Sequence, residues 1–161
     1  MLTKMLAFEW RYFTRQPSFI VTGLVFFLLP FLAMTIENVQ IGASANVNFN
    51  SPFAIAQSIL ILGVFSMFLV VNFVADTALR NDNSKMAEIV CTKPISPIGY
   101  QLGRFLGAYL VCVTIFAMVP LGLFLGAIMP WLDPERIGPN TFGAYLKPFI
   151  YFSLTTLFVL S

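Results

Sequence analysis

The sequence predicts an all-α integral membrane protein, and three observations carry that reading. The chain is 58% hydrophobic and 16% aromatic but only 10% charged, where a water-facing domain carries about 25% charged residues. Its charges are also confined to a few places: none falls between Arg15 and Glu37, Glu37 and Asp76, Arg104 and Asp133, or after Lys147. Finally, the basic residues fall mainly on one side of the spans that these gaps define.

A hydrocarbon core about 30 Å thick takes roughly 20 apolar residues as helix. A charge near the middle of such a helix costs several kcal/mol. Spans are therefore expected between the charges, at 18–36, 53–75, 105–130 and 144–161, with the fourth cut short at its end. The long uncharged stretch divides at 42–52, where Gly42, Asn46, Asn48, Asn50, Ser51 and Pro52 supply loop chemistry.

Other classes fit less well. Ala43-Ser44-Ala45 resembles a signal-peptidase site, but the apolar stretch before it exceeds the usual signal length, and Glu37 and Gln40 intervene. Buried helices of a large soluble protein would need four runs of bilayer length by coincidence. The alternation of a transmembrane barrel is missing from the pattern.

With the N-terminus inside, the inner side holds Lys4, Arg11, Arg15, Arg80, Lys85, Lys93 and Arg104, and the outer side only Arg136 and Lys147. This is a positive-inside bias. No basic run points to nucleic acid. Cys91 falls in the inner loop and Cys112 in a span, so a structural disulfide is not expected.

Residues 1–17 read as an amphipathic helix lying at the cytoplasmic interface. At helical spacing Lys4, Arg11 and Arg15 fall within about 40° of one another. Leu2, Met5, Leu6 and Phe13 lie opposite, and Trp10 and Tyr12 are headgroup-level anchors. Glu9 breaks the pattern by projecting into the apolar face. Two readings stay open for it: a local pair with Arg11 or Arg15, or a bond to a neighbouring segment.

The inner loop, 76–104, is the most informative stretch. Ser84 to Cys91 can form two short helical turns with Asn83 or Ser84 as N-cap. Lys93-Pro-Ile-Ser-Pro97 then ends any helix, because each proline disfavours helical angles in its predecessor. A short exposed helix thus meets a rigid corner at Pro94 and Pro97, just before a new span. It reads as a solvated connector or as a docking helix for a partner.

Within the spans, Gly99, Gly103 and Gly107, then Gly122 and Gly126, recur at four-residue spacing, which lets helix backbones approach closely. Pro30 and Pro120 are expected to bend their helices. Gln57, Ser58, Asn72 and Asp76 project within about 100° of each other on the second span. This polar face is expected to turn toward other helices or a pathway.

No carboxylate sits mid-span, which weighs against a proton- or sodium-coupled carrier. With no histidine in the chain, and no nucleophile elbow or phosphate-binding loop, the stretch carries no catalytic constellation, no metal site and no cofactor of its own.

The run Asp82-Asn-Ser-Lys-Met-Ala-Glu-Ile-Val-Cys-Thr-Lys-Pro-Ile-Ser-Pro-Ile-Gly-Tyr-Gln-Leu-Gly-Arg-Phe-Leu-Gly107 resembles the first cytoplasmic loop of type-2 ABC exporter permeases. In that family a polar cluster precedes a short helix, a Thr-x-Pro-Ile-Ser-like corner and a glycine–basic step into the third span. Where the family often carries Gly-Thr, this chain has Lys85-Met86. Phe8-Glu-Trp-Arg-Tyr-Phe-Thr-Arg-Gln-Pro17 is similar to the interfacial helix that opens these permeases.

Asn46-Val-Asn-Phe-Asn-Ser-Pro-Phe-Ala-Ile-Ala-Gln57, Met129-Pro-Trp-Leu-Asp-Pro-Glu-Arg-Ile-Gly138 and Gly143-Ala-Tyr-Leu146 resemble a subgroup fused to a C-terminal zinc aminopeptidase-like domain.

The resemblance implies a bacterial inner-membrane permease subunit that pairs with a second permease half. ATP and magnesium are then expected on a separate ABC ATP-binding subunit. It also implies that Asp82, Lys85, Met86, Glu88, Ile89 and Thr92 dock that subunit, and that Pro94 and Pro97 form the coupling corner. The alternative it leaves is a membrane anchor or regulator for a peptidase-like enzyme whose domain lies further along the chain.

Overall fold

A computed structural model describes residues 2–36, 48–84, 97–132, 135 and 137–160, and among these it is all-helical. The helices are α1 (Leu2–Phe13), α2 (Pro17–Thr35), α3 (Pro52–Ser84), α4 (Pro97–Phe116), α5 (Met118–Gly126), α6 (Phe142–Pro148) and α7 (Thr155–Leu160), with a π-helical stretch, Phe149–Leu154, between the last two. Four helical stretches are long and apolar enough to cross a membrane: Pro17–Thr35, Pro52–Thr77, Gly99–Gly126 and Phe142–Val159.

Prolines set several of the boundaries. Gln16 is extended (φ −76°, ψ 135°), as a residue before proline prefers, and Pro17 opens α2 at a position whose N–H would have no partner. Pro52 opens α3 in the same way, and the Ala54 N–H donates to Ser51 Oγ at 3.2 Å as a cap. Pro120 divides the third span. Its ring crowds the Phe116 carbonyl one turn back, and α4 stops at Phe116 before α5 resumes at Met118. Pro30, by contrast, lies inside an unbroken α2. Pro148 has no N–H to continue the α-helical ladder, and the π-helical stretch follows it directly.

The third span is the hub. Ala108, Val111, Cys112, Ile115, Phe116, Val119 and Leu123 along it are all essentially buried. The α1–α2 unit runs beside α4–α5 in the same direction, with Met5 against Gly103, Glu9 against Gly107, Phe27 and Pro30 against Gly122, and Met34 against Gly126. The fourth span runs the other way. Phe124 packs edge-on against Tyr145, Phe116 stacks on Phe149, and Tyr109 and Phe105 meet Phe158.

The spans expected at 53–75 and 105–130 lie within longer helices: α3 continues to Ser84, and α4 begins at Pro97, ahead of Phe105. Asn83 and Ser84, the expected N-cap positions, form the last turn of α3. A charge ends a membrane span but not a helix, because the backbone ladder goes on outside lipid with charged side chains attached. On α4 the helix runs through Arg104 because that side chain has an internal partner. Residues 85–96, including Cys91 and the rest of the expected short helix, lie outside the described residues. Cys112 is buried and free.

The apolar side of α1 is turned onto α4. Phe13 is fully buried and packs edge-on against Phe73 of α3 at 5.5 Å between centroids. Lys4, Arg11 and Arg15 are exposed.

Candidate functional site

The structure settles the role of Glu9 in favour of a neighbouring segment. Its side chain is 1% exposed, and Oε1 lies 3.5 Å from Nε of Arg104 on α4. The same guanidinium donates through NH2 to the Thr77 carbonyl of α3, and it stacks over the Tyr100 ring at 5.6 Å. Arg104 thus joins α1, α3 and α4 at one level. Burying either charge alone would be costly, and each makes the other's burial tolerable.

Local sequence explains how this arises. Gly107 stands where Glu9 crosses: a Cβ there would come within 2.6 Å of the Glu9 Cβ. Gly103 does the same one turn earlier for Met5, at 2.9 Å. The glycines let α1 lie close enough for a short carboxylate to reach Arg104. Further along, a Cβ on Gly122 would meet the Phe27 carbonyl at 2.5 Å, and one on Gly126 the Met34 Cβ at 2.8 Å. These four expected packing glycines all sit at helix contacts, and Gly99 lies half-buried in the first turn of α4.

The expected docking residues are placed only in part. Asp82 is in the final turn of α3 and Pro97 is the first residue of α4. Lys85, Met86, Glu88, Ile89, Thr92 and Pro94 lie outside the described residues. What the structure does give is the pair of helices that bracket 85–96, joined through Arg104 and Thr77 about two turns from their ends.

The polar stripe on α3 is not one buried face. Ser58 is buried and donates to the Ala54 carbonyl at 2.8 Å, Gln57 is half-buried, and Asn72 and Asp76 are exposed. The buried polar positions of α3 are Ser58, Ser66 and Thr77, and a hydroxyl can satisfy itself on its own helix, as Thr77 does on the Phe73 carbonyl at 2.9 Å. The Asn72 carboxamide and the Asp76 carboxylate, on the same stripe, are exposed.

A second polar cluster closes the opposite end, and the sequence reading missed it. Asn50, 5% exposed, accepts from the Gly138 N–H at 2.7 Å and donates to the Gly138 carbonyl at 2.6 Å and to Asn140 Oδ1 at 2.9 Å. Tyr145 donates to the same Asn140 oxygen at 2.8 Å. The turn before α3 is thereby bonded to the segment before α6. The two asparagine-bearing runs were visible as loop chemistry, but nothing local pairs positions so far apart. Among the described residues no three His, Cys, Asp or Glu side chains come together as a metal site.

Fold and site together define a multi-span membrane protein, all-helical among the described residues, in which a buried ion pair ties α1 to the third span at one end and an asparagine cluster ties the segments before α3 and α6 at the other. Comparison with protein-family models, with curated proteins and with solved structures finds no match.

Proposed function

We propose that the chain is the membrane-spanning part of an ATP-driven exporter permease, working with a separate ATP-binding subunit and a second permease half. In this reading it sits in a bacterial inner membrane with its N-terminus in the cytoplasm, as the excess of Lys and Arg around α1 and 76–104 favours. ATP and magnesium belong to the partner subunit.

The observation that carries the reading is the Arg104 junction. The helices that bracket 85–96 are joined about two turns from their ends through the Arg104–Thr77 hydrogen bond, and α1 joins them through Glu9. A displacement applied to 85–96 then moves α1, α3 and α4 as one body, which is what a force-receiving loop requires. The likeness of 82–107 to the first cytoplasmic loop of type-2 exporter permeases supports the same assignment.

The test is retention of an ATPase subunit on the purified protein. Replacing Lys85, Met86 and Glu88 together by alanine is expected to abolish co-purification while leaving the permease monodisperse. Undiminished ATPase retention by the triple variant would overturn the docking assignment.

A further inference from the structure

Beside the ion pair, on the outer flank of α1, an open crevice of about 650 Å³ lies between α1 and α4. It is lined by Leu6, Ala7, Trp10, Arg11, Thr14, Arg15 and Leu110. Its walls are graded. Leu6, Trp10 and Leu110 form an apolar side, and Arg11 and Arg15, one turn apart, form a basic side. Both arginines are exposed, and among the described residues neither has a carboxylate within ion-pair distance. Thr14 is satisfied internally, its hydroxyl donating to the Trp10 carbonyl at 2.8 Å.

We propose that this crevice is a binding site for an anionic phospholipid. The phosphodiester sits on Arg11 and Arg15, and an acyl chain lies along Leu6, Trp10 and Leu110. Three features converge on that occupant. The crevice belongs to a chain with four membrane-crossing helices, so acyl chains surround it. Two adjacent guanidiniums, with no carboxylate in ion-pair distance among the described residues, match an anionic phosphodiester better than a zwitterionic headgroup, because a choline would bring a further positive charge against them. Trp10, 40% exposed on the apolar side, is the residue type that favours the headgroup level. The site is independent of the transport reading, since it needs only the membrane and α1 seated on α4. Its consequence is that the lipid would add a further contact between α1 and the third span, next to Glu9 and Arg104.

Trp10 is its own reporter. The chain has two tryptophans, so in Trp131→Phe protein all indole fluorescence comes from Trp10. This protein is reconstituted in phosphatidylcholine vesicles doped with phosphatidylglycerol or phosphatidylcholine bearing brominated acyl chains. Brominated phosphatidylglycerol is expected to quench at roughly thirtyfold lower mole fraction than brominated phosphatidylcholine, two arginines' worth of attraction. Arg11→Gln with Arg15→Gln is expected to remove the difference. Leu110→Phe, which crowds the crevice and leaves the charge alone, is expected to reduce it several-fold, and Lys147→Gln on α6 to leave it intact. Excess inorganic phosphate is expected not to displace the lipid.

Equal quenching by the two lipids overturns the proposal, and so does a preference that survives the double glutamine variant. Full preference in Leu110→Phe would mean a basic surface without a shaped site, and displacement by inorganic phosphate would mean a free-anion site; either result also overturns it. Should the double glutamine variant fail to fold, Arg11→Lys with Arg15→Lys takes its place: it keeps the charge and is expected to keep the preference, and equal quenching there overturns the proposal.

Discussion

Glu9 and Arg104 bring a carboxylate and a guanidinium to 3.5 Å inside the protein, one from the first helix and one from the third span. The pair replaces water for both charges, and the Thr77 carbonyl takes up a further guanidinium donor. Removing one partner should be far worse than removing both. Glu9→Ala is expected to destabilise the protein by about 3–5 kcal/mol, because Arg104 is left buried without its counter-charge. Glu9→Ala combined with Arg104→Met should recover most of that loss. Unfolding by SDS titration in mixed micelles measures both, and equal losses in the single and double variants would refute the pair's role.

Glycine-to-alanine substitutions should divide by what stands opposite. Gly122→Ala and Gly107→Ala place a methyl against the Phe27 carbonyl and the root of the Glu9 side chain, neither of which can swing aside. Each should cost about 1–3 kcal/mol by overpacking. Gly63→Ala meets nothing within 4 Å and should be neutral or stabilising by about 0.5–1 kcal/mol, since glycine weakens a helix interior. The same SDS titration ranks them.

At the other end, Asn50→Ala should leave the Gly138 N–H and carbonyl without their Asn50 partner, while Asn140 Oδ1 keeps Tyr145. A buried polar group so orphaned costs about 1–3 kcal/mol. The local readout is hydrogen exchange: the Gly138 amide should exchange at least tenfold faster in the variant. Unchanged protection would show that the loop is held by something other than Asn50.

Pro120→Ala supplies the N–H that the Phe116 carbonyl lacks. The break between α4 and α5 should close into regular α-helix, with slower exchange of the amides around Ala117. If exchange there is unchanged, the break is set by packing against α2 and not by the proline.

The helix count was legible because charge and hydropathy act locally. Asp76 and Arg104 bound the expected spans, but the helices themselves run past them, α3 to Ser84 and α4 from Pro97. The polar stripe divides by side-chain chemistry. Ser58 is buried because a hydroxyl can bond its own helix, whereas Asn72, on nearly the same side, is exposed. Glu9 was the one sequence signal for the ion pair: a carboxylate in an apolar face calls for a cation, though nothing nearby names which.

By itself, then, the sequence determined four membrane-crossing helices, because a run free of charge and long enough for hydrocarbon has few other stable solutions. It also determined, through its four-residue glycine spacing, that some helices would touch closely. Only the tertiary structure decided that α1 lies on those glycines, that Glu9 answers Arg104, and that Asn50 closes on Gly138 and Asn140. Those pairings depend on how helices distant in the chain pack in space, and no local period encodes that.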